Sequence, residues 1–258
     1  MGKPWRLINL EFRDPYLNMA LEEAVARGVG KGSAPSTVRF WRSASSVVVG
    51  RFQSVEAEVD LEFCAERGIA VVRRFTGGGA VYHDLGNLNY AVSTEKGERT
   101  IEDFRRASAK LPLAAIEGLK KLGLNPEFRG ANAILVDGRK VSGIAGALKW
   151  NAIFHHGCLL VSADLNALRR ALRRFRGDYK PVERSVSSVK MEIANLSEFK
   201  ELRIEDVKEA LRRGIEEVYG AELTEGELTR WELRKAKELY RNKYLRPEWN
   251  LRGETAYH

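Results

Sequence analysis

The segment Arg73-Arg74-Phe75-Thr76-Gly77-Gly78-Gly79-Ala80-Val81-Tyr82-His83-Asp84 places two guanidiniums before three consecutive glycines, and an imidazole and a carboxylate after them. Glycine lets the backbone take positive φ and approach a ligand with no Cβ in the way. A turn of this kind can aim successive N–H groups at an anion, and flanking arginine adds forked, charge-assisted hydrogen bonds to phosphate or carboxylate. The composition is that of an anion-binding loop; the same residues could also form a hairpin turn with a glycine bulge. No Gly-Lys-Ser/Thr follows the glycines, so the loop is not a nucleotide P-loop. The spacing is not Gly-x-Gly-x-x-Gly and no helix pattern opens behind it, which argues against a dinucleotide-binding turn.

A second reactive group is Lys140, directly after the turn signal Asp137-Gly138. The strand it opens becomes small at Ser142, Gly143, Ala145, Gly146 and Ala147, which leaves room for a ligand or another backbone. A strand lysine alone is commonly a solvent-facing side chain; beside this stretch it becomes a candidate contact for a carboxylate or phosphate. In Phe154-His155-His156-Gly157-Cys158 the two histidines point to opposite faces of a strand, so at most one faces a site, and Cys158 shares the face of His156. A Cys-His pair could make a nucleophile, but a buried strand cysteine is the commoner arrangement. Cys64, among Leu61, Phe63 and Ala65, reads as a small core residue.

The elements that position these residues follow from periodicity and punctuation. Leu7–Leu10 opens as a strand; Asp14 and Pro15 cap a helix to Arg27, with Gly28 as its stop and Glu22 and Glu23 facing outward. Residues 37–41 and 46–50 read as strands close enough to pair antiparallel, and Asp60 caps a short helix to Arg67. Strands at 69–72 and 87–92 flank the glycine loop. Thr100, with Glu102 and Asp103, starts a helix to Leu122 that Pro112 kinks or restarts. Strands cover 140–147 and 154–161, Asp164 caps a helix to Phe175, residues 176–181 form a loop, and 185–189 are extended. Helices at 204–219 and 227–243 precede Glu248-Trp249-Asn250. Without a clear interdomain linker or repeat, one α+β domain with a mixed sheet, rather than a doubly wound one, is the simplest account.

The chain of 258 residues is 44% hydrophobic and 30% charged, enough for one sizeable core or two modest ones. No apolar run of membrane-spanning length and no signal-peptide core occurs, which leads to the expectation of a soluble, cytoplasmic protein without membrane attachment. Two cysteines give neither a disulfide framework nor a metal-ligand spacing. The formal charge of +8 favours acidic partners. It does not indicate nucleic acid, because no helix-turn-helix, zinc or aromatic-stacking motif accompanies it.

Together, residues 73–87, Arg139-Lys140-Val141-Ser142-Gly143 and His155-His156-Gly157-Cys158-Leu159-Leu160 resemble the lipoate–protein ligase A family, within the superfamily of biotin and lipoate ligases and octanoyltransferases. The similarity continues through Ser185-Val186 and Asn195-Leu196 to Glu248-Trp249-Asn250 and covers nearly the whole chain. It implies the biotin/lipoate ligase catalytic fold, a mixed, largely antiparallel sheet flanked by helices, with residues 1–258 as one catalytic domain. It also implies ATP-dependent activation of lipoate to lipoyl-AMP and transfer to a lysine of a lipoyl acceptor, with Mg2+ accompanying ATP. Acceptors would be lipoyl domains of 2-oxoacid dehydrogenase complexes or the glycine cleavage H protein. By resemblance, Lys140 is catalytic, holding the lipoate carboxylate beside the α-phosphate. Arg74, Gly77, Gly78, Gly79, Ala80, Val81, Tyr82, His83 and Asn132 join it around ATP or lipoyl-AMP, His83 chiefly by shaping the loop. Ser142, Gly143 and His156 join it around lipoate, whose tail would lie over residues 143–147 and Leu159.

Single-chain members of that family carry a further small C-terminal domain. The resemblance is to the archaeal-type arrangement in which that domain is a separate polypeptide, so a small accessory subunit is expected as partner. Two alternatives stand beside the ligase. One is an ATP-independent octanoyltransferase working through a cysteine thioester, for which Cys158 is the sole candidate, although it falls where ligases carry a small residue after His-His-Gly. The other is a non-catalytic subunit that binds lipoate or a lipoyl domain, against which Arg74, Gly77–Gly79 and Lys140 all argue. A biotin ligase would carry a Gly-Arg-Gly-type loop in place of Thr76-Gly77-Gly78-Gly79.

Overall fold

The structure is a computed structural model that describes residues 3–96, 101–130, 132–172, 188 and 191–254, with the backbone alone for residues 3 and 101–104. The expected helix start at Thr100, the loop 176–181 and most of the extended stretch 185–189 lie outside the described residues.

Strand β1 (Lys3–Asn9) leads into helix α1 (Pro15–Gly30), then β2 (Thr37–Trp41) and β3 (Ser46–Val49). Short helices α2 (Val55–Glu58) and α3 (Leu61–Glu66) precede β4 (Ala70–Arg73), and β5 (Val81–His83) and β6 (Asn87–Glu95) follow the glycine loop. Helix α4 (Ile101–Lys121) is succeeded by β7 (Pro126–Arg129), β8 (Ala133–Val136), β9 (Arg139–Lys149), β10 (Ala152–Leu160) and α5 (Leu165–Ala171). The described chain closes with α6 (Ile204–Tyr219), β11 (Ala221–Glu225), α7 (Arg230–Leu239) and two wide turns of π type, Tyr240–Tyr244 and Glu248–Arg252.

Eight strands form one sheet in the order β11-β1-β2-β6-β10-β9-β8-β7, parallel at β11-β1-β2 and antiparallel elsewhere. Three more form a small sheet, β4-β3-β5. The fold is thus α+β with a largely antiparallel sheet, as the sequence implies. Helices α4 and α6 cover one face of the large sheet, where Leu111, Leu119, Leu211 and Ile215 pack on Leu88, Ile134 and Leu159. Asp137 and Gly138 turn β8 into β9 with φ of 47° and 76°, the two positive values a tight hairpin requires. Among the described residues no helix is long and apolar enough to cross a membrane.

Five local readings change. Strands β2 and β3 do not pair: β2 lies between β1 and β6, while β3 is the centre of the small sheet. Short sequence separation suggested a hairpin, but each strand finds longer-range partners on both edges. The glycine loop is not the turn of a hairpin either: it joins β4 to the short β5, which both pair with β3, parallel and antiparallel, while the strand expected at 87–92 is β6 of the large sheet. Helix α1 runs past Gly28 to Gly30; a Cβ at Gly30 would lie 1.9 Å from the Trp150 carbonyl oxygen, so this glycine serves close packing as well as the helix end. Glu22 and Glu23 do not face outward: they are 2% and 0% exposed. The helix is wedged between the sheet and the C-terminal α7, so it has no broad solvent face. Finally, α4 continues through Pro112 as one helix.

Candidate active site

Because β4 and β5 embrace β3, residues 74–80 must arc over the end of β3. The arc is tight. A Cβ at Gly50, just past β3, would lie 2.0 Å from the Gly78 carbonyl oxygen, and Gly78 itself has φ of 89°. Only glycine fits such a backbone-on-backbone contact, and φ of that sign disfavours residues with a Cβ. The N–H groups of Gly77, Gly78 and Gly79 have no acceptor among the described residues. The Ala80 N–H donates to Ser188 Oγ at 3.0 Å.

Arg74 shapes the arc from inside. Its Nε donates to Thr76 Oγ1 (3.1 Å), Nη2 to the carbonyls of Gly77 (2.7 Å) and Gly79 (2.8 Å), and Nη1 to Val48 (3.0 Å). Burial lowers this guanidinium to about 10, so it keeps its charge at neutral pH. One Nη1 hydrogen remains without an acceptor among the described residues.

Under the arc opens a cavity of about 500 Å³, within the range of small-molecule sites. The far wall is built by β9 and β10, whose small residues Gly143, Ala145 and Gly157 keep it open. Lys140 reaches into this space with no acceptor among the described residues, and burial lowers its pKa from the ordinary lysine value. Cys158 lines the same wall; burial pushes its thiol up, against the opposing influence of a Gly143 backbone hydrogen bond and the charges of Lys140 and Arg74.

The third wall comes from α1, which the sequence did not point to. Glu22 is the one carboxylate among the described lining residues. Its Oε2 lies 2.7 Å from His156 Nδ1 and its Oε1 accepts from Trp41 Nε1 at 2.9 Å. His156 Nε2 lies 2.8 Å from Thr76 Oγ1. Arg74 Nε–H donates to Thr76 Oγ1 and His156 Nδ1–H donates to Glu22, so the four side chains form one connected chain in which the Thr76–His156 hydrogen bond can run in either direction. Burial alone would raise the Glu22 carboxyl; the charge and hydrogen bond of His156, the charge of Arg39 and the Trp41 indole outweigh it and hold Glu22 below its ordinary value. Two buried side-chain nitrogens on lining residues, His83 Nδ1 and Asn89 Nδ2, have no partner among the described residues. Burial, with the charges of His156 and Arg74, drops His83 to about 3, so its ring is neutral.

The structure therefore gathers Arg74, Gly78, Gly79, Ala80, Val81, His83, Asn132, Lys140, Gly143 and His156 around one cavity. Gly77 contributes its carbonyl to Arg74 but does not line the space. The Tyr82 ring packs with Val47 and Val49 beneath the loop, and Ser142 Oγ lies 3.1 Å from Tyr90 OH. Leu159 belongs to the core on the other face of the sheet. His155 points away from the site to Ser108 Oγ (2.8 Å), so one histidine of the pair serves the cavity. Met19, Glu22, Trp41 and Asn89 line it without any local sequence signal.

A family model described as the lipoyl protein ligase A/B catalytic domain matches residues 14–216. The lipoate-protein ligase A subunit 1 of Thermoplasma acidophilum is 34% identical over 245 residues, covering 91% of each chain. An octanoyltransferase LipM of Brevibacillus brevis is 30% identical over 274 residues, covering 96% of this chain and 99% of its own. Among solved structures, a bi-partite lipoate protein ligase studied with its E2 lipoyl domain, also from Thermoplasma acidophilum, superimposes with a TM-score of 0.85 at 32% identity, covering 96% of both chains. A lipoate-protein ligase A bound with ATP gives a TM-score of 0.80 at 32% identity, over 97% of this chain and 99% of the other.

Proposed function

The chain belongs to the lipoyl protein ligase A/B catalytic-domain family, and we propose that it activates lipoate with ATP to lipoyl-AMP and passes the lipoyl group to a lysine of an acceptor domain. The observation that carries this reading is Lys140: an ammonium with no ion-pair partner among the described residues, in the same cavity as the N–H groups of Gly78 and Gly79, which have no acceptor among them either. That pairing offers one cation for a carboxylate and α-phosphate, and a backbone cradle for the remaining phosphate oxygens.

In the first half-reaction a lipoate carboxylate oxygen attacks the α-phosphorus, the bond to the bridging oxygen breaks, and pyrophosphate leaves. Lys140 lies between two groups whose negative charges repel, and holding them together is the main catalytic task. Arg74 contributes a fixed positive charge and a rigid loop. In the second half-reaction the acceptor lysine amine attacks the acyl carbon and AMP leaves, so no protein nucleophile is required. The apolar side of the cavity, with Met19, Val48 and Ile144, suits an aliphatic acyl tail.

Magnesium, in this reading, enters with the triphosphate. Glu22 is already bonded to His156 and Trp41, and among the described residues no group of three or more His, Cys, Asp or Glu could hold a metal. The acceptors are lipoyl domains of 2-oxoacid dehydrogenase complexes or the glycine cleavage H protein, the setting is the cytoplasm, and a separate small subunit assists. The likeness to a ligase subunit 1 and to a bi-partite ligase studied with its E2 lipoyl domain supports the partners.

A second reading, ATP-independent octanoyl transfer, is favoured by the octanoyltransferase relative and by Cys158 in the cavity wall. Its thiol is raised by burial rather than activated, which favours the ligase. The test is pyrophosphate release from ATP with lipoate or octanoate. Acid-dependent release is expected, and its absence with either acid overturns the proposal.

A further inference from the structure

Two adjacent residue pairs at the site divide their labour in the same way. Glu22 faces the cavity while Glu23 turns to the C-terminal segment, accepting from Lys243 Nζ (2.5 Å) and Tyr244 OH (2.7 Å). Arg74 faces the cavity while Arg73, 1% exposed, turns to the same segment. Its Nε donates to the carbonyl of Trp249 (3.0 Å) and its Nη2 to that of Leu251 (2.9 Å). Nη1 donates to the carbonyls of Gly50 and Gln53, both at 2.8 Å, in the turn that abuts Gly78.

The backbone of Arg73 is held as well. Strand β4 is an edge of the small sheet, and a buried edge leaves an N–H and a C=O to satisfy. Asn250 Oδ1 accepts from the Arg73 N–H (3.0 Å) and Trp249 Nε1 donates to its carbonyl (2.9 Å), so two side chains stand in for a neighbouring strand. Asn250 is itself fixed, through Nδ2, to the carbonyls of Tyr244 (2.7 Å) and Arg246 (3.1 Å). Every bond in this clamp involves a buried side chain.

We propose that Trp249 and Asn250 are positioning residues for the triple-glycine loop: the segment from Tyr240 to Leu251 sets the seat of Arg73 and so the aim of Arg74 and the glycine N–H groups. The tether through Glu23 acts in the same sense on Glu22 and, through His156, on Thr76. The kinetic part of the test rests on the ligase reading; the exchange part does not.

Trp249→Phe keeps an aromatic ring, smaller than the indole, and removes the indole donor, and Tyr244→Phe keeps its ring and removes the hydroxyl donor at the second tether. Single-amide hydrogen exchange, without ligands, would follow the N–H groups of Arg51 and Arg74, which bond to Thr76 and Val49 across the base of the loop (2.8 and 3.0 Å). In Trp249→Phe these two amides should exchange about tenfold faster while those of β6 keep their rates. Pyrophosphate release should lose about tenfold in kcat with KM for lipoate changed less than about twofold, the pattern of a misaimed rather than an empty site. Should Trp249→Phe not fold, Tyr244→Phe reads the same amides. Unchanged Arg51 and Arg74 exchange, or a rise spread equally over β6, overturns the proposal. Wild-type protein that releases no pyrophosphate would instead overturn the ligase reading, and the exchange result would still decide the clamp.

Discussion

Glu22 Oε2 and His156 Nδ1 lie 2.7 Å apart, joining the first helix to a central strand of the large sheet across 134 residues of chain. Glu22→Ala leaves the Trp41 indole N–H and the His156 Nδ1–H without their acceptor in a buried setting. Unfolding free energy should fall by about 3 kcal/mol. Acid activation should fall further than stability explains, because Thr76 loses a fixed partner. Denaturant titration beside pyrophosphate release measures both; a variant as stable and as active as wild type would remove this chain from the account.

Lys140→Ala should reduce pyrophosphate release by about a thousandfold, since a positive charge at the developing anions is lost. The pH dependence has a definite sign. Burial lowers the lysine pKa from 10.5, so its charge is complete below the shifted value and lost as pH rises through it. The alkaline limb of kcat/KM should therefore lie below 10.5, and that of kcat should move upward once a carboxylate is bound. Unchanged release in Lys140→Ala would show that another group holds the acid.

The parts of the site legible in sequence are those whose chemistry is local. Three glycines in a row and a lysine before a run of small residues announce themselves at any position in a fold. Glu22 could not be seen that way. Leu17, Leu21, Ala24 and Val25 assign α1 an apolar stripe, and the remaining positions default to solvent. The helix is instead covered on several sides, by the sheet and by α7, and covering by a distant helix leaves no periodic trace. The partners of β3 failed for a related reason. Both of its neighbours, β4 and β5, lie later in the chain, so proximity to β2 misled. The role of Arg73 as an anchor also depends on Trp249 and Asn250, 176 and 177 residues away.

Gly50→Ala should damage the loop while sparing the large sheet. Its Cβ would meet the Gly78 carbonyl oxygen at 2.0 Å, backbone against backbone, so the arc must shift. A stability loss of about 2 kcal/mol should accompany a roughly hundredfold fall in pyrophosphate release, because the misplacement falls on groups that aim at the phosphates. Nucleotide affinity by calorimetry should weaken in parallel; full activity would mean that the arc relaxes freely.

Cys158→Ala separates ligase from thioester chemistry. A buried, protonated thiol is a poor nucleophile, so ATP-dependent pyrophosphate release should stay within about fivefold of wild type. Loss of an ATP-independent octanoyl transfer in this variant would establish the competing mechanism.

Acid should destabilise the fold through two histidines before it reaches the carboxylates. Burial, aided by neighbouring charge, lowers His83 to about 3 and His155 to about 4 from 6.5. Between those values the unfolded chain binds protons that the folded chain refuses. Stability is therefore full above pH 6.5 and declines as pH falls toward the folded-state values, with each histidine contributing about 1.4 kcal/mol per pH unit once the unfolded side chain is protonated. Thermal unfolding followed from pH 7 to 5 should show this slope in wild type. His83→Asn should flatten it by the share of one proton. A slope that His83→Asn leaves untouched would mean that this imidazole is protonated in the folded protein, against its position between Trp41 and the charged groups of the cavity.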